Sequence, residues 1–131
     1  MLPCVTFASY PFGAARMTFN VKFRLRIYRD EGIAIGPGKV ALVEAIAETG
    51  SISAAARRLG MSYRRAWLLV DELNRALRKP AVVGVVGGRH GGGATLTEEG
   101  EELVRRYRAI EVTARQAAAA DLASLTRLLA P

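Results

Sequence analysis

The sequence predicts a mainly α-helical fold with a small β-hairpin. Segments with helical hydrophobic spacing are bounded by capping residues and glycines, and two short apolar runs flank a glycine-rich stretch. The chain has 131 residues, of which 50% are hydrophobic. This composition suits a single domain with a real core and excludes a disordered polypeptide.

The first part of the chain is weakly patterned. Residues 1–16 hold one charge and no clear period, and a well-patterned stretch opens at Met17. Either residues 1–19 form a disordered arm or translation begins at Met17. The next segment, Val21–Tyr28, alternates apolar side chains with basic or polar ones, which predicts a half-buried strand. Residues 30–38 predict a turn-rich connection.

Helix boundaries follow from capping residues and helix breakers. Serine and threonine begin helices well, whereas glycine and proline end them. The predicted helices are Lys39–Glu48, Ser51 to Gly60, Ser62 to Pro80 and Thr97 to Ala130, and the predicted hairpin strands are Ala81–Val86 and Ala94–Leu96.

The second and third helices are joined by a tight turn that is typical of a helix-turn-helix. Ala55 and Ala56 are small where two helices must cross, and Gly60 supplies the positive φ that the turn needs. In such a unit the second helix enters the major groove of DNA with its N-terminal residues facing base edges. Those residues here are Ser62, Tyr63, Arg64 and Arg65.

Each of these residue types suits a contact with DNA. An arginine guanidinium pairs with O6 and N7 of guanine, and hydroxyl groups suit phosphates or base edges. Trp67, which stands beside Leu68 and Leu69 in the middle of the same helix, is interpreted as a core anchor.

The basic charge is concentrated in this region. The formal net charge is +7; residues 51–80 carry a net charge of +5, and residues 97–131 carry −1. A concentration of positive charge on one face is what a polyanionic partner requires.

The stretch GVVGGRHGGGATLT, from Gly84 to Thr97, has two interpretations, a nucleotide-binding loop or the tip of a hairpin. It lacks the lysine of a P-loop, and it leads into a strand rather than a helix. The hairpin is therefore favoured, with Arg89 and His90 at its tip, where they reach the flank or minor groove of a duplex. Solvation is the alternative for both side chains.

TGSISAAARRLGMSYRRAW, followed by GGRHGGGATLTEEGEELVRRY, resembles the N-terminal domain of the molybdate-responsive ModE regulators. That domain is a winged helix-turn-helix of the LysR type, in which the hairpin is the wing. The resemblance covers roughly Asn20 to Ile110. It implies DNA contacts by Ser62 to Arg65 and near Arg89 and His90. It also implies a homodimer with the long C-terminal helix and the N-terminal strand region at its interface.

Full-length ModE regulators carry C-terminal molybdate-binding domains that this sequence lacks. The expectation is therefore a protein that acts without a ligand or takes its signal from a separate molybdate-binding protein. The target genes implied by the resemblance are those of molybdenum uptake or molybdoenzymes.

The length of the last helix predicts a dimer independently. From Glu98 to Ala130 it would be about 50 Å long, and one small domain cannot cover its whole apolar stripe. Pairing with a second copy would cover it. The expected regions are an arm at 1–19, a winged helix-turn-helix at 20–96 and a dimerisation helix at 97–131.

Together these observations predict a cytoplasmic, sequence-specific transcriptional regulator that binds double-stranded DNA as a homodimer. We expect no enzymatic activity, cofactor, metal or membrane partner. The predicted DNA-binding residues are Ser51, Ser53, Ser62, Tyr63, Arg64, Arg65, Arg89 and His90. Three alternatives stay open: a non-specific architectural DNA-binding protein, an enzyme that uses the glycine-rich loop for a nucleotide, and a protein-interaction module.

Overall fold

The computed structural model describes residues 18–86 and 93–131, and the backbone of Cys4–Thr6. The chain forms two compact units, Arg24–Ala109 and the combination of Met1–Phe23 with Ile110–Pro131. The predicted fold class, mainly α with a small β-hairpin, is confirmed.

The helices are α1 (Pro37–Thr49), α2 (Ile52–Arg58), α3 (Tyr63–Ala76) and α4 (Glu98–Thr126). The strands are β1 (Cys4–Thr6), β2 (Thr18–Asn20), β3 (Ile27–Arg29), β4 (Gly32–Ile35), β5 (Val82–Val85) and β6 (Gly93–Leu96). Among the described residues they form three antiparallel pairs, β1 with β2, β3 with β4 and β5 with β6.

The predicted starts of α2, α3 and α4 are confirmed, whereas α1 begins two residues earlier than predicted, at Pro37, and α3 ends at Ala76, four residues before Pro80. The Ser51 hydroxyl accepts a hydrogen bond from the Ala54 amide at 2.9 Å, and α2 follows. Thr97 begins α4, because its hydroxyl accepts from the Gly100 amide at 3.1 Å. Gly50 ends α1 with φ of +79°, a left-handed conformation that costs glycine little.

The turn between α2 and α3 has the expected geometry. Gly60 adopts φ of +68°, and the Met61 amide donates to the Ala56 carbonyl at 3.0 Å. Ala55 and Ala56 are fully buried, so the two helices cross closely. The sequence therefore specifies the joint between these helices through small residues and one positive φ.

The core of the Arg24–Ala109 unit lies between α1, α2, α3 and the β5–β6 hairpin. Leu42, Val43 and Ile46 of α1 are buried against Val70 and Leu73 of α3 in one hydrophobic cluster. Burial of such aliphatic side chains contributes roughly 1.5–3 kcal/mol each. Their packing determines which side of α3 remains in solvent.

The predicted strand Val21–Tyr28 is wrong over most of its length. Only Ile27 and Tyr28 belong to a strand, because β4 offers hydrogen-bond partners from Ile27 onward and residues 21–26 lie in no strand. The expected alternation of burial does occur over residues 21–26. The alternating sequence predicts which side chains are buried. Formation of a strand also requires a hydrogen-bonding partner elsewhere in the chain, and the local pattern cannot reveal that partner.

The predicted turn-rich connection at residues 30–38 contains a strand. Asp30 has φ of +54° and Glu31 completes a tight turn, so that Arg29 pairs with Gly32. Aspartate tolerates the left-handed region better than most residues. The final helix also stops earlier than predicted, at Thr126 instead of Ala130.

In the second unit, β1 pairs with β2 in the register Cys4 with Asn20. The remainder of the predicted arm before Thr18 lies outside the described residues. The part of α4 in this unit leaves several large apolar side chains exposed: Ile110, Val112 and Leu125. None of the described helices is both long and apolar enough to cross a membrane.

A close approach at Gly100 yields the first prediction. A Cβ atom there would lie 2.2 Å from the Ala81 carbonyl oxygen, which also accepts from the Thr97 amide at 2.9 Å. We expect Gly100→Ala to destabilise the fold by about 1–3 kcal/mol through overpacking, although alanine is the better helix former by about 1 kcal/mol. Chemical denaturation measures the change.

The matched control is Gly38→Ala in the first turn of α1, where nothing lies within 4 Å of the added Cβ. This variant should be neutral or slightly more stable than the wild type. Equal stability of the two variants would contradict the close approach at Gly100.

Candidate DNA-binding surface

The α3 helix divides into a buried face and three exposed faces. Successive residues turn by about 100° around a helix. Ala66, Val70 and Leu73 share the buried face. Arg64 and Leu68 therefore point directly away from the core, and both are exposed.

The two flanks of α3 carry different side chains. Tyr63 and Trp67 lie on the flank that faces the β5–β6 hairpin. Arg65 and Leu69 lie on the opposite flank, together with Glu72. The two adjacent arginines, predicted as one pair, therefore serve different faces of the helix.

The first turn of α3 is ordered by its cap. The Ser62 hydroxyl accepts from the Arg65 amide at 3.1 Å, and the hydroxyl proton remains available as a donor. Arg64 and Arg65 are exposed, and neither guanidinium has a hydrogen-bond or ion-pair partner among the residues that the structure describes. Two unpaired cations thus follow immediately after a capped helix start.

Trp67 was expected in the core, and this expectation is wrong. Its side chain is 47% exposed, and the neighbouring Tyr63 and Leu68 are 57% and 43% exposed. The helical position explains the outcome, since Trp67 is about 100° away from Ala66, which is fully buried. An exposed cluster of large apolar side chains in the middle of a basic region is unusual for a surface without a partner.

A groove of about 520 Å³ separates α3 from the hairpin. Ser51 and Ser53 of the α2 start line it together with Tyr63 and Trp67. The opposite wall includes Val83 and Gly84 of β5 and Gly93 and Ala94 of β6. The structure therefore brings four of the predicted or newly found site residues to one groove.

Asn74 holds the hairpin against α3. Its side-chain amide donates to the Val82 carbonyl at 3.0 Å, and its carbonyl oxygen accepts from the Ala81 amide at 2.8 Å and the Val82 amide at 3.3 Å. One side chain thus satisfies three backbone groups at the point where the hairpin starts. On the other strand, the Ala94 amide donates to the Gly50 carbonyl at 2.9 Å.

Residues 38–101 match the family of bacterial regulatory helix-turn-helix proteins of the LysR type. The chain carries a LysR-type helix-turn-helix. This match covers all of α2 and α3, the hairpin and the first residues of α4, and so it includes the groove and every described residue of the predicted DNA-binding set.

Curated proteins whose names refer to molybdenum are similar to part of this chain. The chain is 51% identical over 80 residues to the molybdenum-pterin-binding protein MopB of Rhodobacter capsulatus, an alignment covering 61% of this chain and 30% of MopB. It is 42% identical over 89 residues to the molybdenum transport protein ModE of Azotobacter vinelandii, covering 68% of this chain and 33% of that protein.

The DNA-binding transcriptional dual regulator ModE of Escherichia coli (strain K12) is 33% identical over 93 residues, or 71% of this chain and 33% of that protein. The chain thus spans about a third of the length of the curated relatives that it matches. The expected resemblance to ModE regulators is confirmed for the helix-turn-helix.

Two predicted contacts of this ModE-like domain, Arg89 and His90, lie outside the described residues. Their role stays a prediction. The described parts of the hairpin are β5 and β6, with Val85 paired to Gly93 nearest to those two residues.

The sequence interpretation missed two features of the surface. The exposure of Trp67 and Leu68 could have been found by placing Ala66, Val70 and Leu73 on one helical face. Asn74 gave no such signal, because its three backbone partners lie seven and eight residues away in the next element. Its role becomes visible only in the tertiary structure.

The Asn74 joint generates the second prediction. Asn74→Ala removes three hydrogen bonds and leaves buried backbone groups of Ala81 and Val82 without that partner, which should cost about 1–3 kcal/mol of folding stability. Hydrogen exchange of the amides in β5 should accelerate in the variant. Denaturation together with hydrogen exchange measures both effects.

Asn20→Ala is the matched control, since Asn20 is exposed and its side chain makes no described contact. If Asn74→Ala proves as stable as Asn20→Ala, the proposed attachment of the hairpin does not hold.

Proposed function

We propose that this chain is a sequence-specific DNA-binding transcriptional regulator whose α3 helix lies in the major groove. One observation carries the proposal: the first two turns of α3 present Tyr63, Arg64, Trp67 and Leu68 to solvent, while the opposite face is buried in the core. A helix with one face packed in the core and the opposite face exposed is suited to enter the major groove of B-DNA.

Each exposed side chain has a role that fits its chemistry. Arg64 points directly away from the core, and we assign it to the O6 and N7 acceptors of a guanine. Trp67 and Leu68 are apolar, and we assign them to thymine methyl groups, which are the apolar marks of the major groove. Tyr63 and Ser62 supply hydroxyls for phosphates or base edges.

The groove beside α3 supports contacts with the DNA backbone. Ser51 and Ser53 line it next to Tyr63, and we assign their hydroxyls to phosphate oxygens. Arg65 lies on the other flank of α3 and is also assigned to the backbone. Arg89 and His90 remain our prediction for contacts at the flank of the duplex.

The proposed active form is a homodimer on a pseudo-palindromic site. The exposed Ile110, Val112 and Leu125 on α4 support this proposal, because water-exposed apolar side chains of this size gain free energy when a second copy covers them. Two-fold symmetry would place two α3 helices one DNA turn, or a small multiple of it, apart. We propose residues 97–131, which include α4, as the dimerisation region.

The names of the relatives MopB and ModE, which refer to molybdenum, support a role linked to this metal. We propose that this chain controls genes of molybdenum uptake or of molybdoenzymes, and that it acts in the cytoplasm, where it meets chromosomal DNA. A separate molybdate-binding protein is the predicted further partner. Calorimetric titration of the purified protein with molybdate tests whether this chain itself binds the anion.

The Arg64 assignment predicts a sequence-dependent loss. In a duplex selected from a random library by the wild-type protein, Arg64→Ala should weaken binding by about 1–3 kcal/mol and relax the preference at one base-pair position. Fluorescence anisotropy on the selected duplex and on single-base variants measures both.

Arg105→Ala on α4 is the control, because it removes the same charge from an exposed position outside the proposed surface. If Arg64→Ala weakens all sequences equally, Arg64 touches only the backbone. If the wild type does not distinguish the selected duplex from random DNA, the protein is a non-specific architectural binder instead.

The apolar assignment predicts a dependence on thymine methyl groups. Replacement of contacted thymines by deoxyuracil removes one buried methyl each, which should weaken wild-type binding by about 0.8 kcal/mol, or about fourfold, per methyl. The double variant Trp67→Ala/Leu68→Ala should bind the thymine and uracil duplexes equally. Uracil sensitivity that survives in this variant would assign the methyl contacts to other residues.

A further inference from the structure

A second cavity lies on the other flank of α3, away from the hairpin. It has a volume of about 970 Å³ and runs between α3, the start of α1 and the β3–β4 hairpin. We call it the arginine cleft, because it is lined by six basic side chains: Arg24, Arg26, Arg29, Lys39, Arg65 and Arg75. Only two carboxylates, Glu31 and Glu72, also line it.

Three of the basic groups are already engaged by the protein. Arg29 donates to the Ala76 carbonyl at 3.0 Å. The buried Lys39 ammonium donates to the Ile33 carbonyl at 2.6 Å and lies 3.4 Å from Glu72. Arg75 pairs with Asp71 at 3.1 Å.

The other three guanidinium groups differ in their contacts with the described part of the protein. Arg24, Arg26 and Arg65 are exposed, and within residues 18–86 and 93–131 none has a hydrogen-bond or ion-pair partner. Each guanidinium presents a fork of donors that matches two oxygens of a phosphate group. Glu72 is compensated by Lys39, so the cleft keeps a surplus of positive charge.

The β3–β4 hairpin is held beside α3 by defined contacts. The Arg29 bond to Ala76 attaches its first strand to the end of α3, and Lys39 attaches its second strand to the start of α1 through Ile33. The hydrogen bond from Tyr107 to the Leu25 carbonyl, at 2.7 Å, fixes the backbone between Arg24 and Arg26. The unpaired arginines thus extend from an anchored segment.

We infer that the arginine cleft binds phosphates of the DNA backbone beside the site that α3 contacts. This inference rests on the proposed function, since Arg65 belongs both to the cleft and to the first turn of α3. From Arg65 to Arg75 the cleft follows α3 for about 15 Å, which exceeds the size of one phosphate group. A strand of phosphates entering at Arg65 would continue toward Arg24 and Arg26.

The salt dependence of DNA affinity tests this inference. The slope of log affinity against log salt concentration changes by about 0.9 for each phosphate that a protein neutralises. We expect Arg24→Gln/Arg26→Gln to make the slope less steep by about 1.8 on the selected duplex, with the preference over random DNA unchanged. Arg24→Lys/Arg26→Lys keeps both charges and should keep most of the slope.

The matched control is Arg105→Gln/Arg106→Gln. It removes two charges from exposed positions on α4, where both arginines pair with Glu102. This control should retain the wild-type slope. Thermal unfolding verifies the fold of each variant, and Arg24→Gln alone, with an expected change of about 0.9, replaces the double variant if that does not fold.

Several outcomes would overturn the inference, and they are distinguishable from one another. An unchanged slope in Arg24→Gln/Arg26→Gln, while the wild type binds its selected duplex, refutes the cleft contact and leaves the proposed function intact. Equal changes in the cleft variant and the α4 control indicate a general charge effect. Failure of the wild type to bind any duplex at low salt refutes the proposed function itself.

A free phosphorylated molecule is the other source of the same chemistry. ATP and pyrophosphate serve as probes, added to the protein without DNA. Thermal stabilisation of the wild type by either probe that disappears in Arg24→Gln/Arg26→Gln would assign the cleft to a small polyphosphate instead of the DNA backbone. We expect no such stabilisation.

Discussion

The surface that we propose for DNA depends on how closely α3 packs against α2 and α1. Ala55, Ala56 and Ala66 are buried in the same hydrophobic cluster as Leu73, and their small side chains suit close packing of the helices. A larger residue at any of the three would push α3 outward or turn it about its axis. Because helical geometry is fixed, the burial of one face determines which residues remain in solvent.

The burial of one face of α3 leaves three exposed faces, to which we assign different contacts. The face of α3 opposite the core presents Arg64 and Leu68, which we propose enter the major groove of DNA. One flank shares a groove with the hairpin that Asn74 holds in place, and the other flank, with Arg65, forms a wall of the arginine cleft. In our proposal Arg64, Trp67 and Leu68 contact bases and supply specificity. Arg65 and the serine hydroxyls beside α3 contact phosphates, and this division matches how proteins recognise duplex DNA.

The features that could be predicted are those that short-range chemistry decides. Ser51 begins α2 because its hydroxyl accepts a hydrogen bond from the nearby Ala54 amide, and Gly60 forms the turn because it adopts a positive φ. Two predictions were wrong, the strand at 21–28 and the buried position of Trp67, because both features depend on tertiary structure. A strand needs a hydrogen-bonding partner that is distant in sequence. Whether a bulky apolar residue in a helix is buried depends on which helical face packs against the core, and its own hydrophobicity does not decide this. The arginine cleft combines residues 24–39 with residues 65–76 of α3, so no local sequence pattern predicts it.

We propose above all that the start of α3 is the surface that contacts DNA. NMR titration of isotopically labelled protein with its selected duplex tests this most directly, through the backbone amides and the Trp67 indole. We predict that the largest shifts fall on residues 62–68 and on the indole N–H, while the resonances of the amides around Leu42 and Ile46 in the core stay unchanged. Shifts confined to α4, with residues 62–68 unchanged, would contradict it.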